Sequence, residues 1–372
     1  MSDLMTKFDP WLEDAGPAAL VIREHLIPVE GPDGVAFPAT YAASEDRTFG
    51  GGYNIDLFPD GTNVCLIDSV GSQANRIEPL FAKGEYAALV PRVVVKAGEK
   101  CVNLLEAGHR AGDAIIRCSA LKQELHDAFK SVQNGDAQPL AKIAPTSLVF
   151  GAWDSRDTQA KLPRLIASTI RAFDVHKLTR SAQYVPATEY IDEGLLPDRS
   201  DLRDADGNMI NVSSKHPYAT RGFAHHPASG SHGGVIATGG IRRVATLHLA
   251  ALRLLNAGED AKKTLALRRY ILGLALTAFT YSPSGYLRQG CNLVQDPDKK
   301  RDFKVVFGDG HHEDAAVTHN EALDYARTAA KAFGVGKDRS VDFDQSLAKQ
   351  EVSGDAGNGT KKVQKAGTKK NK

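Results

Sequence analysis

Cysteine, methionine and tryptophan are scarce in this chain, at 4, 3 and 2 among 372 residues. The cysteines, Cys65, Cys101, Cys118 and Cys291, are widely scattered and form no C-x-x-C pair. That spacing argues against a disulfide framework or a thiolate zinc site, and apolar neighbours predict buried, reduced thiols. Long apolar runs are missing as well. The most apolar segment, residues 270–279, is too short to cross a bilayer. The acidic start MSDLMTKFDPWLED lacks the apolar stretch of a secretory leader. A cytoplasmic protein without a membrane partner is expected. Excess charge is also absent, the formal net value being +1. A uniformly basic, nucleic-acid-coating protein is thereby excluded, and any polyanion site must be a local patch offset by acidic surface elsewhere. There is no internal repeat.

What is present suits a soluble globular protein: 42% hydrophobic residues, 24% charged and 34 glycines, in a length that allows one large domain or two. The pattern predicts an early strand, ALVIREHLIPVEG, then loops over residues 31–62. NVCLID (63–68) reads as a buried strand with a short helix after it, and 87–96 as a strand interrupted by Pro91. Residues 113–132 read as helix and 147–152 as strand. From Leu162 the apolar positions Leu162, Leu165, Ile166, Thr169, Ile170 and Phe173 follow helical spacing, which predicts an amphipathic helix with Lys161, Arg164 and Arg171 on its outer face. A strand is expected at 175–185. This strand–helix–strand unit fits an α+β sandwich of ferredoxin or RNA-recognition type. Residues 186–240 form a polar stretch long enough to suggest function. Helices are expected at 241–256, with His248 on the core face, and at 260–281. A last helix over 318–333 opens on a capping box of Thr318 and Glu321. From about 346 the chain reads as a disordered basic tail.

Four groups of residues suggest chemistry. Ser72, Gln73, Asn75 and Arg76 place short polar donors and a cation directly after a buried strand, suited to phosphates, sugars and base edges, or simply to capping a helix. Lys161, Arg164 and Arg171 would meet successive phosphates from one helix face. In TRSAQY (179–184), alternation sets Arg180 and Tyr184 opposite Thr179, Ser181 and Gln183, an arrangement that allows stacking with bases. The glycines of GSHGGVIATGGIRR (230–243) suggest a backbone approach to phosphate, with Arg242 or Arg243 neutralising it. The histidines His225, His226, His311 and His312 are numerous enough for a metal-dependent phosphoesterase, although none has H-E-x-x-H spacing. The chain contains neither a phosphate-binding G-x-x-x-x-G-K-[ST] nor a G-x-S-x-G elbow.

Taken in order, DSVGSQANRIEPLF, SLVFGAWDSRDTQAKLPRLIASTIRAFDV, TRSAQYVPATEY and GGIRR resemble one family over roughly residues 60–290. It is the CRISPR-associated Cas-seven-type backbone subunit, of the RAMP superfamily, from type I-G (formerly I-U) effector complexes. The resemblance implies an RNA-recognition or ferredoxin-like palm with helical insertions and a projecting thumb. The palm would be roughly 15–185 and 240–335 of a single domain ending near 345, with 190–235 as candidate thumb. It implies a non-catalytic protein without cofactor or metal, polymerising along CRISPR RNA (crRNA) and presenting the guide to target DNA in antiviral defence. Implied partners are crRNA, further copies of the chain, the large subunit, a fused Cas-five/Cas-six-type subunit and a recruited helicase-nuclease. RNA contacts would fall on Ser72, Gln73, Asn75, Arg76, Lys161, Arg164, Arg171, Arg180, Ser181, Gln183, Tyr184, Arg242 and Arg243. Asp201, Asp204 and Asp206 lie in the candidate thumb, where RNA-cutting relatives hold a catalytic aspartate, and in a type I subunit they would be simply solvated. A backbone must hold any guide, so its contacts should go to phosphate, sugar and shape.

Overall fold

Alternation of buried and exposed side chains governs the centre of the protein. Strand β1 (Ala19–Pro28) buries Leu20, Ile22 and Glu24 on one side, while Val21, Arg23 and His25 on the other stay partly or fully exposed. The computed structural model describes residues 2–210, 213 and 215–353. After β1 come β2 (Ile55–Leu57), β3 (Asn63–Asp68) and helix α1 (Val70–Ile77). Helices α2 (Lys122–Gln133) and α3 (Pro145–Phe150) precede strands β4 (Ile166–Phe173), β5 (Val175–Tyr184), β6 (His226–Ala237) and β7 (Ile241–His248). The remainder comprises α4 (Ala261–Thr280), β8 (Tyr286–Arg288), β9 (Cys291–Gln295), β10 (Asp302–Val306), β11 (His312–Asp314) and α5 (His319–Phe333).

One nine-stranded sheet runs in the order β8-β9-β1-β7-β4-β3-β2. β10 lies beside the first half of β1, and β11 pairs with β10. The neighbours are antiparallel, as in the register of β7 with β1 and β4. Leu20, Ile22, Ile166, Ala245 and Leu247 face a core shared with the helices. There α4 and α5 cross so closely that a Cβ on Gly273 would sit 2.7 Å from the Cα of Ala326. The result is a mixed α+β architecture compatible with a ferredoxin-like palm bearing helical insertions.

Several sequence expectations hold: β1, β3, α1, β5, α4 and the capping box of α5 all form. Others are corrected. The amphipathic helix expected from Leu162 is strand β4, and the helix expected over 241–256 is strand β7 followed by the short helix Leu249–Leu252. His248 therefore lies at a strand end, exposed, rather than on a helix core face. The strand expected at 147–152 is helix α3, entered through Pro145 in its first turn, where proline's missing N–H costs nothing. Cys65, Cys118 and Cys291 are buried as expected, but Cys101 is exposed. The tail expected from 346 is helical as far as 353, and its later residues lie outside those described.

β4 runs on into β5, and β6 into β7, so the four strands make one long two-stranded ribbon. Its lower half, β4–β7, belongs to the sheet; its upper half, β5–β6, forms a separate ladder. The bend falls at Asp174 (φ 47°) and Gly240 (φ 81°). A side chain at Gly239 would meet Asp174 Oδ2 at 2.7 Å, which explains the small residue there. From Thr179 onward the described side chains of β5 are exposed on both sides of the strand, so the ribbon leaves the body of the protein. Beyond it a small cluster of Ile191, Leu202, Ala219 and Ala224 gives the tip its own apolar centre.

Candidate nucleic-acid interface

A belt of polar side chains crosses the inner face of the sheet, and it claims much of the first predicted group. Asp68, 1% exposed at the end of β3, accepts hydrogen bonds from Ser72 Oγ (2.8 Å), Gln73 Nε2 (2.6 Å), Arg76 Nε (3.2 Å) and Arg288 Nη2 (3.0 Å). Gln73 is buried and accepts from Ser168 Oγ at 3.0 Å. Ser168 in turn accepts from Arg243 Nε at 3.2 Å. Arg243 is ion-paired with Glu24, whose other oxygen faces Arg301 Nε at 3.1 Å. A buried carboxylate needs partners of this kind. Arg243 and Gln73 are thus structural, and Ser72 and Arg76 are half committed to Asp68. Asn75 stays exposed and accepts from Arg110, which pairs with Glu78 at 2.6 Å. Burial pushes the Glu78 carboxyl up to about 7 against the pull of Arg110.

On the opposite face the same strands present cations. Arg242 faces His25 on one neighbour and Arg171 on the other, so His25, Arg242 and Arg171 form one row across β1, β7 and β4. Adjacent strands lie about 4.8 Å apart, which sets the spacing of that row. Arg171 Nη1 donates to Thr169 Oγ1 at 2.8 Å; the Arg242 guanidinium lies 3.9 Å over the Phe173 ring and donates to Gly239 O at 3.2 Å. Both guanidinium groups are therefore oriented, and neither is ion-paired among the described residues. Arg23 is exposed on the same face two residues before His25, opposite Val244. The row ends where the ribbon begins, at Phe173, Asp174 and Gly239.

Along the ribbon, Arg180, Ser181, Gln183 and Tyr184 are exposed as expected. Tyr184 donates to Gly222 O at 3.1 Å, and Gln183 Oε1 faces His225 Nε2 at 3.5 Å. Pairing slips after Lys177 and again after Arg180, so the expected strict alternation of faces is interrupted. At the tip, Arg203 joins Asp192 and Asp198, at 2.8 and 2.9 Å. Arg199 pairs with Asp201 at 2.9 Å and holds that carboxyl down at about 2. Asp204 accepts backbone N–H groups from Asp206 and Asn208.

The predicted cationic triad does not form. Arg171 belongs to the row on the sheet, whereas Lys161 and Arg164 lie on a hairpin and loop before β4, where Arg164 Nε donates to Phe150 O at 3.2 Å. The expected phosphate cradle is likewise corrected: Gly239 and Gly240 turn one strand into the next, with no helix start beside them. His225 and His226 stand at the far end of the ribbon, His311 and His312 on the β10–β11 hairpin. Among the described residues no three His, Cys, Asp or Glu side chains gather to hold a metal, so the phosphoesterase reading finds no support. Sequence reasoning missed Arg23, His25 and the carboxylates Glu24 and Asp68. Strand alternation in EHL and RRV could have separated Arg242 from Arg243, had 241–248 been read as a strand.

Residues 20–177, from β1 to the start of the ribbon, match the family model described as CRISPR-associated protein GSU0053 (Cas_GSU0053). No curated protein matches the chain. The family match supports a CRISPR-associated protein, with a role for the chain as a Cas subunit in CRISPR defence.

Proposed function

We propose that this chain is a non-catalytic backbone subunit of a type I-G CRISPR effector complex, binding crRNA and assembling in several copies along it. The observation that supports this most is the row His25, Arg242 and Arg171 on the open face of the sheet, continuing into a ribbon exposed on both sides. Oriented guanidinium groups on such a face attract phosphate whatever the base sequence, which is what a variable guide demands. The ribbon and its tip serve as the thumb, reaching past the edge of the palm toward the next copy. A protein of net charge +1 can stack on itself without strong repulsion. Partners would include the large subunit, the fused Cas-five/Cas-six-type subunit, the recruited helicase-nuclease and, through guide pairing, target DNA.

The test is purification with and without a CRISPR array, followed by nuclease digestion. Protein bound to crRNA should protect fragments at regular intervals. Protein that leaves the RNA unprotected at saturation, or cuts it in a metal-dependent way, would refute the reading.

A further inference from the structure

A second cationic patch lies away from the sheet row. Trp153 is 56% exposed, on a two-residue ladder that pairs Ala152 with Leu162 and Trp153 with Lys161. Lys161 Nζ lies 5.7 Å from the indole centroid, near the outer reach of a cation–π contact. The loop between is braced. Asp154, 2% exposed, accepts from both Thr158 N (2.8 Å) and Thr158 Oγ1 (2.6 Å), and Asp154 N donates to Ala160 O. Asp157 faces His126 at 2.7 Å. Arg156, Lys161 and Arg164 are exposed and form no ion pair among the described residues. Arg164 stands seven residues before Arg171, roughly 20 Å along an extended chain.

We propose that Trp153, with Arg156, Lys161 and Arg164, is a separate binding site for single-stranded nucleic acid. An unpaired base stacks on the indole while the three cations hold the flanking phosphates. Lone exposed aromatics are common on protein surfaces. This one differs in being fixed on a ladder beside Lys161, with Arg156 in the braced loop and Arg164 just past the ladder. An exposed ring with cations along the same hairpin is the combination that single-strand-binding grooves use without sequence preference. The site does not depend on the guide-binding reading; it is placed to take a strand other than the one along the sheet, or a later stretch of the same one.

The test uses Trp11→Phe protein, which leaves Trp153 as the one remaining tryptophan of the two in the sequence. Its fluorescence is followed during titration with twelve-residue oligo(U) and oligo(dT). Saturable, salt-sensitive quenching is expected, persisting when Arg171→Ala and Arg242→Ala remove the sheet row. A difference between oligo(U) and oligo(dT) assigns the strand as RNA or DNA. In that background, strand anisotropy should show Trp153→Ala weakening binding roughly five- to hundredfold. Arg156→Ala with Lys161→Ala should weaken it roughly ten- to thirtyfold at 0.1 M salt. Failure of guide protection with quenching intact would strike only the function proposed above. Three outcomes overturn the present inference: no quenching at strand concentrations that saturate anisotropy, quenching abolished by the sheet-row variants, or quenching that follows protein concentration without any nucleic acid, which would mark a self-association surface.

Discussion

Arg242 and Arg243 are neighbours in sequence, yet the sheet gives them opposite tasks, and exchanging each for alanine should separate them. Arg243 is 5% exposed and holds Glu24, itself 9% exposed. Removing one partner of a buried pair strands the other charge and costs about 3–5 kcal/mol. Here Arg301 remains 3.1 Å from Glu24, which places the loss near the lower end, about 3 kcal/mol. At about 2 °C per kcal/mol for a chain of this size, Tm should fall by about 6 °C. Arg242→Ala gives up the stacking on Phe173 and the hydrogen bond to Gly239 O at a partly exposed site, together about 1–2 kcal/mol, and Tm should drop by no more than about 4 °C. Binding should show the reverse. Every cation that neutralises a phosphate of a single strand contributes about 0.7 to the slope of log K against log salt. Arg242→Ala should reduce the slope by that amount and Arg171→Ala with Arg242→Ala by about 1.4, equally for unrelated guide sequences. The assays are calorimetric melting and filter binding between 50 and 300 mM salt. Equal melting losses for the two single variants, or an unchanged slope in Arg242→Ala, would refute the division of faces.

Asp68→Asn leaves Arg76 and Arg288 facing a neutral amide. A loss of about 3 kcal/mol in urea unfolding is expected, with raised hydrogen exchange in α1. His319, held between Tyr86 (2.8 Å) and Thr280 (3.0 Å), has its pKa lowered by burial. Its unfolded form binds the proton more readily, so stability should be full above pH 6.5 and decline as pH falls toward the lower folded value. His319→Gln should flatten Tm across that window, and an unchanged pH profile would contradict the assignment. Thr318→Ala removes the capping bond to Glu321 N and should cost about 1 kcal/mol, read by thermal melting.

The two strands misread as helices, β4 and β7, share a physical cause. Each turns a polar residue toward the inner face of the sheet: Ser168 from β4 and Arg243 from β7. A half-buried strand announces itself by strict apolar alternation, and these residues break it, because their partners Gln73 and Glu24 come from distant parts of the chain. No local rule could supply those partners. In α3, by contrast, residues 145–150 are all buried, and a short apolar run of that kind does not distinguish helix from strand. The elements that were legible used local signals, among them the apolar run of β3 and the capping box of α5. The candidate site was legible in composition but not in arrangement. Arg171 and Arg242 were found without the register that makes them neighbours, and His25 was not found at all.

That register ties the binding surface to the interior. On the inner face the belt Glu24–Arg243–Ser168 separates the helix-packed core from a second apolar cluster containing Ile170, Ile241 and Leu293. One residue away in each of β1 and β7, the side chains His25 and Arg242 point outward, and Arg171 follows Ile170 in β4. Because side chains alternate, a slip of β7 by one residue would drive Arg242 into the interior and expose Ile241, Ala245 and Leu247. It would also leave Glu24 without the Arg243 guanidinium. An all-apolar inner face would tolerate other pairings more easily; a buried charge matched to a partner at one register does not. The buried ion pair therefore fixes which cations reach the outer face and how they line up. In this sheet the structural and the nucleic-acid-facing arginines are successive residues of one strand, and the position of the second is set by the burial of the first.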